Sequence, residues 1–166
     1  IAGSFRTVRA NTVRVAEDIP EEQYGFVPAP GVMPVGEMMT HVALSSRFQQ
    51  AIHAGKATTL EGFDFPGLMA SIAAEGKTVS TKSEIVALLK GEGERFAAWV
   101  EGLSDDFLSE RVGMMGGQPA KSRLEMLLGP KEHEMHHRGQ LMLVERLLGI
   151  VPPLTRQSQA HAAART

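Results

Sequence analysis

The chain has 166 residues, 43% of them hydrophobic and 22% charged, with a formal net charge of −2, which predicts one domain with a sizeable core and offers no electrostatic footprint for nucleic acid. Cysteine is absent, which excludes disulfides, thiolate metal sites and a cysteine nucleophile. No apolar run approaches the roughly 20 residues of a membrane span and no basic-then-apolar leader opens the chain, so a cytoplasmic protein with no membrane partner is expected.

Taken in chain order, Phe5, Val8, Thr12, Val13 and Val15/Ala16 recur at near-helical spacing and predict a first helix ended by Pro20. Tyr24 to Pro34 carries three prolines and two glycines and reads as an ordered loop. A second helix is expected from Pro34 or Val35 to His53, with Gly55 as its stop. Residues 56–80 read as loop, with a short helix over Pro66 to Ile72. Ser80/Thr81 with Glu84 forms a capping signature that opens a third helix reaching Glu101. Residues 104–120, rich in glycine, read as loop. A fourth helix is expected from Ser122 to Leu148, closed by Gly149 and Pro152-Pro153. Gly129-Pro130 implies a kink or a fresh start within it. Four amphipathic helices without strand alternation predict an all-α four-helix bundle over residues 1–154, with long loops between helices 1-2, 2-3 and 3-4. Residues 155–166 are expected to be a tail that includes His161.

The chemistry concentrates in His133-Glu134-Met135-His136-His137. His133 and His137 are four apart, so their rings leave one helix face a turn apart and can share a divalent cation. A third ligand is sought on another helix. Met38, His41, Ser45, Phe48 and Ile52 define the inward stripe of the second helix, with His41 at its middle. Leu124, Leu127, His137, Leu141, Val144 and Leu148 define that of the fourth. His41 alone reads as a core histidine as readily as a ligand. Three inward histidines on two helices favour a metal site, and three ligands leave a position open for water or substrate. Zinc or nickel suits such a donor set best. Glu134, His136 and Arg138 are candidates for moving a proton or holding an anionic group, with structural roles as the alternative. His53, near a helix end, reads as a surface residue.

The segment Lys131-Glu132-His133-Glu134-Met135-His136-His137-Arg138-Gly139-Gln140, continuing from Glu145 to Pro153, resembles the last helix of DinB-like metalloproteins. So does Phe26-Val27-Pro28-Ala29-Pro30-Gly31-Val32-Met33-Pro34-Val35-Gly36-Glu37, leading into His41, and the likeness spans residues 5–155. The resemblance implies a four-helix bundle, usually a homodimer, with His41, His133 and His137 holding a divalent metal. Its wider superfamily includes thiol-dependent S-transferases and a mycothiol-dependent maleylpyruvate isomerase. A metal-dependent transferase or hydrolase acting on a small molecule, with a low-molecular-weight thiol as possible co-substrate, is therefore the expectation.

Two rivals remain at this point. One is a non-catalytic metal-binding or interaction module, because no phosphate loop, carboxylate pair or serine nucleophile motif is present. The other is a zinc peptidase, since His133-Glu134-x-x-His137 fits that pattern. The extended form would need glycine at 140 and histidine at 143, where Gln140 and Leu143 stand, and no strand is predicted to bind a peptide.

Overall fold

The computed structural model describes residues 1–165, and among these the chain is helical apart from loops and one two-residue hairpin. Its elements are α1 (Ala2–Asp18), α2 (Val35–Ala54), α3 (Phe65–Gly76), α4 (Lys82–Glu101), α5 (Asp105–Ser109), β1 (Arg111–Val112), β2 (Lys121–Ser122), α6 (Arg123–Leu147) and α7 (Pro153–Ala163). The four expected long helices are α1, α2, α4 and α6. They form a four-helix bundle in which α4 and α6 each pack against both α1 and α2. The first two helices therefore stand across the bundle's diagonal, which demands a long connection where neighbouring helices would need only a short one.

Local chemistry sets the helix ends. Thr81 Oγ1 accepts the Glu84 backbone N–H, while the Glu84 carboxylate accepts those of Ser80 and Thr81, closing a reciprocal cap on α4. Ser122 and Glu125 repeat the device on α6. Beyond α6, Gly149 adopts φ +78°, the left-handed turn that stops a helix.

The main core joins Val15, Ile19, Met38, Val42, Leu89 and Leu141 from all four long helices. At the other end Phe5 meets Phe96 edge-to-face, with centroids 4.8 Å apart, against Val100 and Leu127. Phe96 is 1% exposed and belongs to this core.

Several segments differ from expectation. The predicted short helix extends over Phe65–Gly76, because Asp64 caps it and it lies along α2. The loop 104–120 folds into α5 and the β1–β2 hairpin, and Gly113 bonds with Thr58 and Leu60 across the preceding long loop. Much of the presumed tail is helix α7, with Arg156 reaching Asp18 at the end of α1. α6 runs through Gly129-Pro130 as one helix; the capping box at its start and packing on both sides sustain it across the missing N–H. Leu124, placed on the inward stripe, is 43% exposed. Among the described residues no helix is long and apolar enough to cross a membrane.

Candidate metal centre

α2 presents His41 and α6 presents His133 and His137 to one point between the two helices. His41 Nε2 lies 3.1 Å from His133 Nε2, which lies 3.2 Å from His137 Nε2. One ring nitrogen from each lies within 4.8 Å of the others, and this is the histidine group among the described residues that could hold a metal ion. Metal–nitrogen bonds of about 2.0–2.1 Å in tetrahedral array put ligand nitrogens about 3.3 Å apart. The observed spacing is close to that.

Burial lowers the pKa of all three rings. For His133 burial acts first and the neighbouring His137, His41 and His136 add to it, bringing the value down to about 4. His41 and His137 are lowered, chiefly by burial, with a neighbouring histidine contributing in each case. The rings are thus neutral near pH 7, the form that binds metals.

Proton placement tests whether a cation fits. Gln140 Oε1 can only accept, so the 2.7 Å contact assigns the His137 proton to Nδ1 and leaves Nε2 with a lone pair. His133 Nε2 can carry one proton or none. With a proton it serves His137 but cannot accept from His41. Without one it faces the bare His137 nitrogen. Neutral rings cannot satisfy both short contacts at once, whereas a divalent cation accepts all three lone pairs. The residues fit the ion. His133 Nδ1 is buried with no hydrogen-bond partner among the described residues, so Gln140 supports His137 without a counterpart there behind His133.

The centre opens on a chamber of about 280 Å³, walled by His41, His133, Phe48, Gln49, Met69 and Ile72. Met69 and Ile72 belong to α3, which roofs the site. A second cavity of about 720 Å³ shares His41, Met69 and Ile72 with this chamber and extends between α3 and the loop after α1, with Glu37 and Lys77 among its walls.

The remaining candidates lie outside this chamber. Glu134 is fully buried, and both its oxygens accept from Arg9 Nε at 2.9 and 3.0 Å, so it turns away from the histidines. Arg138 is half-buried and donates to the Val8 carbonyl at 3.3 Å, which ties α6 to α1. His136 is exposed and meets the centre through Gln140, whose amide nitrogen lies 3.3 Å from His136 Nε2. His53 is fully buried, contrary to the surface position its helix end suggested, and His161 lies on α7. Arg9 belongs to no motif, although it falls on the inward stripe Phe5-Arg9-Thr12-Ala16; a charge there was the available signal.

Residues 4–141 match the sequence pattern of the DinB superfamily. The chain belongs to the DinB superfamily. It is 26% identical to the Bacillus subtilis protein YjoA over 152 residues, covering 90% of this chain and 89% of YjoA. The crystal structure of YjoA superposes with a TM-score of 0.66 and 22% identity over 89% of this chain and 91% of that one. YfiT from Bacillus subtilis, described as a probable metal-dependent hydrolase with an unusual four-helix bundle topology, gives 0.68 at 18% identity, over 90% of this chain and 86% of YfiT. A DinB-like protein from Bacillus cereus gives 0.64 at 19%, over 88% and 89% of the two chains. At these identities the superpositions establish the shared fold.

Proposed function

We propose that this DinB-superfamily protein is a metal-dependent enzyme acting on a small molecule, with His41, His133 and His137 holding a divalent cation of the zinc or nickel kind. The observation that carries the reading is the convergence of three neutral imidazoles beside an apolar chamber. The description of YfiT as a probable metal-dependent hydrolase supports it. A divalent cation at such a site supplies Lewis acidity and lowers the pKa of a water or thiol toward neutrality, which suits hydrolysis or thiol transfer. Gln140 fixes the tautomer of His137, and Met69 and Ile72 shield the open side from bulk water. The peptidase reading loses its general base, because Glu134 is sealed against Arg9.

The test is direct. Metal-stripped protein titrated with zinc and nickel should bind one ion per chain, and His137→Ala should abolish this. The loaded protein is then offered ester substrates, and low-molecular-weight thiols together with electrophiles. Turnover lost in His137→Ala supports an enzyme. One bound ion without any turnover leaves the non-catalytic metal-binding protein, and no bound ion refutes both.

For assembly we propose a homodimer. Met135, Leu143 and Leu147 form an exposed row on α6, at 45%, 58% and 59% exposure, with Gly139 between them. Positions four apart make one ridge, and a glycine within it lets a second helix approach closely. A second copy presenting the same ridge closes the contact by two-fold symmetry.

A further inference from the structure

Gln49 stands on α2 two turns beyond His41 and lines the same chamber. Its orientation is dictated from behind. Arg123, 1% exposed, donates Nε to Glu110 at 2.9 Å, lies over the Phe107 ring at 4.5 Å and donates a terminal N–H to His53 Nδ1 at 3.1 Å. A guanidinium offers donors alone, so His53 Nδ1 must accept and carries no proton. Burial and the Arg123 charge push the His53 pKa down to about 4, so the ring is neutral and its single proton sits on Nε2. That N–H donates to Gln49 Oε1 at 3.0 Å. The carbonyl end of Gln49 is occupied, and its amide nitrogen is the end left over. Among the described residues no hydrogen bond reaches that nitrogen. It stands 4.0 Å from where a side chain at Gly129 would begin, and Gly129, like Gln49, borders both this chamber and an adjoining cavity of about 350 Å³ on the side of Leu60 and Met114.

We propose that Gln49 is the polar anchor of the chamber, its amide N–H groups receiving the carbonyl or carboxylate oxygen of a small molecule whose apolar body lies among Phe48, Met69 and Ile72. The chain Glu110–Arg123–His53 sets the polarity of this anchor, making the site select an acceptor group. The volume, about 280 Å³, is near the lower end for small-molecule sites, so the body is short. The inference rests on the proposed metal centre in one respect only: it takes the end of the ligand nearest His41 and His133 to be the reacting end.

Two substitutions separate anchoring from mere support. Gln49→Glu keeps an oxygen for the His53 N–H and removes the donors facing the chamber, while Gln49→Leu removes both. Hexanoate and 1-hexanol are the probes, titrated against zinc-loaded and metal-free protein, with binding read by calorimetry and by the Gln49 side-chain amide signals in 15N-labelled protein. Hexanoate should shift those signals, and Gln49→Glu should weaken it about ten- to a hundred-fold. 1-Hexanol should change by less than about three-fold, its affinity coming from the apolar walls. The melting temperature of Gln49→Glu should stay near that of the parent, and the His53 15N shifts at pH 7 should report an Nε2–H tautomer. Equal hexanoate affinity in parent and Gln49→Glu, unmoved Gln49 signals or no hexanoate binding would each overturn the proposal. If hexanoate needs zinc but ignores Gln49→Glu, the anchor fails and the metal centre survives. If zinc does not bind yet Gln49→Glu still abolishes hexanoate binding, the metal centre fails and the anchor survives.

Discussion

Arg9 and Glu134 form an ion pair sealed inside the bundle, their side chains 5% and 0% exposed. Arg9 also donates to the Leu89 carbonyl at 2.7 Å and to the Val42 carbonyl at 3.2 Å. One side chain on α1 thus reaches α6, α4 and α2 together. Val42 follows His41 and Glu134 follows His133, so this cross-tie sits directly behind two of the three converging rings. Desolvating two charges is costly, and what compensates here is the number of donors satisfied.

Removing one partner should therefore be worse than removing both. Arg9→Met leaves a buried, unpaired carboxylate and should cost about 3–5 kcal/mol in urea unfolding. Arg9→Met with Glu134→Leu should recover a large part of that loss, because no charge is stranded. A single-variant cost below about 1 kcal/mol would show that the pair is not sealed as described.

Gly93 on α4 makes room for the same arginine. A Cβ at Gly93 would lie 2.5 Å from Arg9 Cγ, near the root of that side chain, where it has little freedom to yield. Gly93→Ala should destabilise the protein although alanine is the better helix former by about 1 kcal/mol. At Gly91, two residues earlier on the same helix, an added Cβ would meet nothing within 4 Å, and Gly91→Ala should stabilise by about 0.5–1 kcal/mol. Thermal melts of the two variants should move in opposite directions.

The three histidines were legible because two stand four apart and the third sits mid-stripe on an amphipathic helix, a pattern that follows from helix geometry alone. The four long helices and the caps at Thr81 and Ser122 were legible for the same local reason. Arg9 and Glu134 were not, because charge argued against an inward placement, although the spacing Leu127-Pro130-Glu134-His137-Leu141 put Glu134 inside. The Arg123–His53–Gln49 chain left no trace in any single helix, since it depends on how the start of α6 meets the end of α2. α7 went unread because its ties to the bundle are tertiary, among them Arg156 to Asp18, Arg146 to Thr155 and the burial of Pro153.

The proposed dimer makes the exposed ridge of α6 the place to probe. Leu143→Glu with Leu147→Glu sets like charges against one another in a two-fold contact while touching no core residue, since both positions are exposed. Light scattering should give a dimer for the parent and a monomer for the double variant, with little change in melting of the monomer's own core. A parent that stays monomeric across micromolar concentrations removes the proposal.

Glu145, on the last turns of α6, is fully buried, and neither carboxylate oxygen has a hydrogen-bond partner among the described residues. Burial raises its pKa first and Asp18 adds to this, while Arg156 and Arg146 oppose, leaving the value at about 7. The folded state thus keeps a proton that the unfolded chain releases at ordinary carboxylate pH. Stability from this group is undiminished in acid and falls as pH rises from about 4.5 to about 7, after which the full cost of a buried charge is present. Glu145→Gln removes that cost and should gain on the order of 1–3 kcal/mol at pH 8, with a much smaller gain at pH 5. Groups remote from Glu145 titrate equally in both proteins, so the difference between their urea midpoints across pH reports Glu145 together with its neighbour Asp18. A gain that is flat with pH would mean the carboxyl is already paired or solvated in the folded state.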